Sequence, residues 1–218
     1  MITTIIFDMD GVIIDSEPIY FRIILKMFDE MGIDMDEQEL TKFVGRSDLW
    51  ETIKEEFDAD FDVDEINQEE QRRFLAYLNN HFDEGPIDGV EELIRSLDEK
   101  NYSLVLASSS RIENINTVLT KLKLENYFPL RISGAELETS KPHPEIFLKA
   151  AELAKSEPEQ CLVIEDSKNG VLGAKAAGMR CIGYKNPNSG NQDLSSADWI
   201  IRSYSEFDWK DLNGKESI

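Results

Sequence analysis

At 218 residues the chain is long enough to bury a full core, as one domain or as two small ones. Its apolar content of 41% places it among globular proteins rather than disordered ones. A net charge of −21, from 44 acidic against 23 basic residues, argues against nucleic acid or an anionic membrane surface as partner. The same charge means that a phosphorylated ligand would need a metal or local Lys and Arg beside it. No apolar run approaches the ~20 residues of a membrane span. The N-terminus passes directly into a strand-like run, without the basic and apolar segments of a secretory signal. Cys161 and Cys181 lie in apolar runs. They read as buried reduced thiols, which fits a cytoplasmic setting.

The first element is Ile5-Ile6-Phe7, branched and aromatic residues too few for a helix, which predict a strand buried on both faces. It runs into Asp8-Met9-Asp10-Gly11-Val12. Strand alternation lets Asp8 and Asp10 project the same way, and two adjacent acids resist joint ionisation unless a cation or shared proton relieves them. Pro18 opens a helix carrying Tyr20, Ile23, Ile24, Met27, Phe28 and Met31 at three- and four-residue steps, closed by Gly32. Leu40, Phe43 and Val44 mark a second helical segment, Leu49 to Phe57 a third, and Ile66 to Phe82 a longer one. No strand is expected between Ser16 and Glu84, so this stretch reads as a small helical module.

Gly85-Pro86-Ile87-Asp88-Gly89 is a cluster of chain breakers, after which helices and strands alternate. Helices are expected at Val90–Leu97, Ile112–Leu122, from Pro144 to Leu153 and at Gly170–Gly178. Strands are expected at 103–107, 130–132, 161–164, 181–184 and 199–201. This alternation predicts an α/β fold, a parallel sheet covered by helices on both faces. The domain reading is therefore an α/β core of residues 1–15 and 86–218, interrupted by a helical domain over 16–85. Ligands in open parallel sheets bind beyond the C-terminal strand ends, so an insertion leaving from that edge would cover the site like a lid.

Each later strand also brings polar groups to that edge. Ser108-Ser109-Ser110 offers hydroxyls and backbone N–H groups as an anion cradle, or simply a helix N-cap. Glu165-Asp166-Ser167 ends another apolar run in two acids that suit Mg²⁺, although Asp166 or Ser167 could equally cap the following helix. Lys141, in Ser140-Lys141-Pro142-His143-Pro144, lies in a loop stiffened by two prolines. His143 and His81 read as structural and surface residues. No Ser-His-Asp arrangement, thiol site or nucleotide-binding glycine loop is present. A carboxylate nucleophile with Mg²⁺ and Lys suits phosphoryl transfer through an aspartyl-phosphate.

Four motifs in order, Asp8-Met9-Asp10-Gly11-Val12, Ser108, Lys141 and Glu165-Asp166, make the chain resemble haloacid dehalogenase superfamily phosphohydrolases with a small helical cap. It is similar to β-phosphoglucomutases and the related sugar-phosphate phosphatases. The resemblance implies a Rossmann-like core with Asp8 as nucleophile and Asp10 as general acid and base. It implies phosphoryl binding by Ser108, Lys141 and the N–H groups of Met9 and Ser109. It further implies Mg²⁺ held by Asp8, Asp166 and the Asp10 carbonyl, with Glu165 contributing directly or through water. In the cap, Tyr20 occupies the position of the mutases' His, which favours a phosphatase of a small phosphorylated metabolite over a hexose-phosphate mutase. Glu17 and Arg46 are the cap's candidate substrate contacts. A monomer is expected. A receiver domain, which shares these residue types, has the motifs in a different order and lacks the helical insertion.

Overall fold

The computed structural model describes residues 1–43, 48–209 and 212. Among these, six strands form one parallel sheet in the order β3-β2-β1-β4-β5-β6. They are β1 (Thr4–Phe7), β2 (Ser103–Ser108), β3 (Leu130–Ser133), β4 (Cys161–Glu165), β5 (Arg180–Tyr184) and β6 (Trp199–Ile201). β1 lies at the centre, with Phe7 aligned to Leu106 on one side and to Ile164 on the other. That register brings the C-terminal ends of β1, β2 and β4 to one edge of the sheet.

Strand alternation divides the apolar residues between two layers. Ile5, Phe7, Leu104, Leu106, Leu162 and Ile164 share one core with helices α5 (Val90–Glu99) and α6 (Ile112–Leu122). Ile6, Val105, Ala107, Val163, Cys161 and Cys181 pack on the other face against α7 (Glu145–Ala154) and α8 (Lys168–Ala176). Both cysteines are free and buried. No helix among the described residues is long and apolar enough to cross a membrane.

Between β1 and α5 the described chain is helical. α1 (Glu17–Met31) ends at Gly32, whose left-handed φ of 71° closes the helix. A four-residue helix α2 (Glu37–Leu40), opened by an Asp36 capping box, passes into a 3₁₀ turn at Thr41–Phe43. The expected second helix is thus shorter and tighter than its apolar spacing implied, and Val44 lies outside the described residues. α3 (Leu49–Glu56) and α4 (Val63–Asn80) complete the module, and Asp62 caps α4 through the Glu65 N–H. Phe28, Trp50, Ile53, Phe74 and Leu78 are buried at its centre and continue into the layer beneath α5 and α6. The module also meets the core through α4 and α6. Asn114 Nδ2 donates to Gln71 Oε1 at 3.3 Å, and Lys121 Nζ donates to the Asn79 carbonyl at 2.7 Å.

The two connections to the module run side by side, because Ile87 N–H donates to the Ile13 carbonyl at 2.7 Å. The polar C-terminal stretch, from which the sequence predicts little, supports the same place. Tyr204 stacks on Tyr184 and donates its hydroxyl to the Val12 carbonyl at 2.6 Å. Tyr204, Trp209 and Leu212 are all buried.

Candidate active site

After Phe7 the chain leaves the strand in a tight apolar knot. Ile13 N–H and Ile14 N–H both donate to the Met9 carbonyl, and Val12, Ile13 and Ile14 are fully buried. Burying these three fixes the loop that carries Asp8 and Asp10. Gly11, with φ of 72°, adopts a conformation L side chains rarely take, and a Cβ there would run into the Asp166 carboxylate. That glycine is what lets the first loop and the loop after β4 meet.

Asp8, Asp10, Ser109, Lys141, Glu165 and Asp166 line one cavity of about 440 Å³ at the C-terminal edge of the sheet, together with Glu17. Ser140, Ser167, Lys168, Asn169, Ser189 and Gln192 complete its lining. Lys141 Nζ donates to Asp8 Oδ1 at 2.5 Å and to Glu165 Oε1 at 2.6 Å, and all three side chains are nearly removed from solvent. Burial alone would lower the Lys141 pKa, but Asp8 and Glu165 outweigh it and hold the ammonium well above the ordinary lysine range. Burial pushes the Asp8 carboxyl up to about 7, against the opposing pull of Lys141, with Glu165 and Asp10 adding to the rise. Asp166 is likewise pushed well above the carboxylate range, first by burial and then by Glu165 and Asp8.

The second oxygen of Glu165 accepts from Ser167 N–H at 2.8 Å and Ser167 Oγ at 2.9 Å. Both of its oxygens therefore rest on protein donors. Gly170 makes this possible, since a Cβ there would occupy the position of the Glu165 carboxylate. Gly170→Ala is accordingly expected to displace Glu165 and with it Lys141, lowering kcat by about 10–100-fold and stability by ~1–3 kcal/mol. Steady-state kinetics alongside thermal melting would check it; a variant with wild-type kcat would contradict this role for Glu165.

Ser108 is fully buried and its hydroxyl points at Asp10, donating to Oδ2 at 3.2 Å. Ser110 donates to the same oxygen at 2.7 Å and closes the turn by giving its N–H to Ser108 Oγ at 3.0 Å. Ser110 thus joins Ser108 in holding Asp10, and of the two serines expected to bind phosphate it is Ser109, not Ser108, that lines the cavity. The place of Ser110 in the Ser108-Ser109-Ser110 run was the available signal. Asp10 Oδ1 is buried and has no hydrogen-bond partner. Ser189, by contrast, has no sign in the sequence; it donates to Asp166 Oδ2 from the loop after β5.

Of the two candidate substrate contacts, Glu17 reaches the cavity from the first turn of α1, while Arg46 lies outside the described residues. Tyr20 stacks on Phe74, with centroids 4.1 Å apart. Glu17's carboxyl is raised from 4.5 to about 7, by burial first and then by Asp10, Asp15 and Glu70. The folded chain therefore keeps this proton to higher pH than the unfolded chain. The stability penalty is absent below about pH 4.5 and grows as pH rises towards 7. Glu17→Gln is expected to gain on the order of 1–2 kcal/mol over wild type at pH 8 and little at pH 4.5. Denaturant melts at the two pH values measure this, and a pH-independent difference would contradict it.

The donor set fits Mg²⁺. It is made of oxygens, and Asp8 and Asp166 are buried acids raised first by burial and then by neighbouring carboxylates, with Lys141 the buried ammonium among five carboxyls lining the cavity. A dication would relieve that repulsion. Among the described residues no group of three His, Cys, Asp or Glu side chains forms a complete metal cage. Mg²⁺ does not require one, because it commonly takes one or two carboxylates and fills its octahedron with water and substrate phosphate.

Residues 5–184 match the family described as haloacid dehalogenase-like hydrolase. Hexitol phosphatase B of Escherichia coli strain K12 is 32% identical over 220 residues, covering 96% of each chain. The β-phosphoglucomutase of Bacillus subtilis is 28% identical over 228 residues, covering 98% of each. A crystal structure of β-phosphoglucomutase from Clostridium difficile superposes with a TM-score of 0.78 at 25% identity, over 96% of this chain and 94% of that one. With strand order, motif order and sequence match in agreement over most of its length, the chain belongs to the haloacid dehalogenase-like hydrolase family.

Proposed function

We propose that the protein is a Mg²⁺-dependent phosphatase that hydrolyses a small phosphorylated sugar or polyol through an aspartyl-phosphate on Asp8. The observation that carries this reading is the pairing of Lys141 with Asp8 and Glu165 beside an Asp10 whose Oδ1 is left without a partner. Lys141 orients the Asp8 carboxylate and offers positive charge where the transferring phosphoryl group would sit. Glu165 acts by holding Lys141. Ser108 and Ser110 hold Asp10 by Oδ2, which leaves the buried Oδ1 as the oxygen without a protein partner and the one to carry the proton.

In the first half-reaction an Asp8 oxygen bonds to phosphorus as the bond to the substrate oxygen breaks, and Asp10 gives that oxygen its proton. In the second, water attacks phosphorus, Asp10 takes the water's proton, and the Asp8–phosphorus bond breaks to release phosphate. Mg²⁺, held by Asp8, Asp166 and the Asp10 carbonyl, would neutralise phosphoryl charge and align it with the nucleophile. Ser109 N–H and the Met9 N–H lie on the loops that would cradle the remaining phosphoryl oxygens.

The leaving group is read from Glu17. Its carboxyl in the cavity accepts hydrogen bonds and repels a second anion, which suits the hydroxyls of a sugar or polyol. The names of the relatives, a hexitol phosphatase and a β-phosphoglucomutase, fall in the same chemical class. Tyr20 in the position where the mutases carry His favours water as the phosphoryl acceptor. Free phosphate release with Mg²⁺ across hexitol phosphates, hexose 6-phosphates and both anomers of glucose 1-phosphate tests this. Strong release from one or a few is expected. Conversion of the β anomer to glucose 6-phosphate with little free phosphate would establish a mutase instead.

A further inference from the structure

The four residues after Lys185 form a turn that makes more side-chain bonds to other loops than to its own. Asn186 Oδ1 accepts the Asn188 N–H at 2.8 Å, which sets the turn. Asn186 Nδ2 donates to the Gly11 carbonyl at 3.1 Å and to Asp15 Oδ1 at 3.4 Å. Asn188 Nδ2 donates to the other Asp15 oxygen, and Ser189 Oγ donates to Asp166 Oδ2. Asn186 and Ser189 are buried among these partners. One short turn therefore grips three things: the loop after β1, the acid two residues before α1, and one oxygen of Asp166.

We propose that this turn is a brace in which Ser189 is a positioning residue for the Asp166 carboxylate, and in which Asp15 ties that position to the linker carrying α1. The inference rests on Asp166 serving as a Mg²⁺ ligand, as proposed above. Ser189 takes Oδ2, so the carboxylate cannot rotate freely and Oδ1 is the oxygen left for a cation in the cavity. A hydroxyl that fixes a ligating carboxylate acts as outer-shell partners do elsewhere, lowering the cost of ordering the ligand when the ion binds. Asp15 makes no bond to Asp166 but holds both asparagines of the turn. Movement of the linker would be felt at Ser189, and through it at Asp166.

The experiment is the Mg²⁺ dissociation constant by isothermal titration calorimetry, without substrate, on the full chain and on Ser189→Ala, Ser189→Thr and Asp15→Asn, with a thermal melt of each in EDTA. Ser189→Ala is expected to weaken Mg²⁺ roughly tenfold, and Ser189→Thr to recover most of that loss by keeping the hydroxyl. Asp15→Asn, remote from the ion, should weaken it about threefold. Should Ser189→Ala fail to fold, Ser189→Thr with wild-type affinity and Asp15→Asn with reduced affinity would still support the brace. Equal affinities for all four proteins would overturn it. A wild-type protein that binds no Mg²⁺ would sink the metal reading and this inference with it, which is a separate outcome from wild-type binding that the variants leave unchanged.

Discussion

Asp8→Asn is expected to lower turnover by at least about 10⁴-fold and to leave no phosphoenzyme to be trapped, while the protein stays folded. The amide is isosteric and can still accept a hydrogen bond from Lys141, whose second partner, Glu165, is untouched. What it loses is the anionic oxygen that must bond to phosphorus. Rapid quench with labelled substrate would show the phosphoenzyme in wild type and its absence in the variant. Turnover within about 100-fold of wild type would assign the nucleophile elsewhere.

Lys141→Met is the other substitution with a large expected effect, and it acts on stability as well as rate. Its ammonium is the shared partner of two buried carboxylates. Removing one member of a buried ion pair costs ~3–5 kcal/mol, because the charge left behind has neither water nor a partner. For a chain of this size that corresponds to a fall in Tm of roughly 10 °C in Mg²⁺-free buffer at pH 8. Without Lys141, Asp8, already raised by burial, would hold its proton to still higher pH in the fold than in the unfolded chain. The loss should therefore shrink towards pH 5, where Asp8 can sit neutral. Turnover should fall at least about 10³-fold, since the charge facing the phosphoryl group is gone. Equal Tm losses at pH 5 and pH 8 would argue against the buried pair as the cause.

The parts of this architecture that rest on local signals were legible in the sequence. Ile5-Ile6-Phe7 could only be a short strand, Pro18 and Gly32 bracketed α1, and the apolar runs ending in Ser108 and Glu165 gave β2 and β4. α8 begins two residues before the expected Gly170 because Ser167 caps it through the Gly170 N–H. The rest depends on contacts between distant segments. Ser189 lies in a loop with neither period nor motif, and only the close approach permitted by Gly11 puts it against Asp166. Tyr204 and Trp209 stand as isolated aromatics in a polar tail, and their burial follows from Tyr184 and Val12 far upstream. Glu165, expected among acids around an ion, has both oxygens on Lys141 and Ser167, a distinction that spacing alone cannot draw.

The central place of β1 bears on how the chain is made. Thr4 to Phe7 pair with Ser103 to Leu106 and with Cys161 to Ile164, and among the described residues with nothing nearer in sequence. During synthesis the strand that ends at Asp8 must wait, apolar and unpaired at both edges, until β2 has emerged, and its second edge stays open until β4 follows. Non-local parallel pairing of this kind is slow to nucleate and exposes sticky edges meanwhile. The intervening helical segment, rich in local contacts, can form during that wait. β1 is thus closed on both edges only once β4 has been made, and chaperone dependence should fall on nascent chains that have not yet reached Ile164.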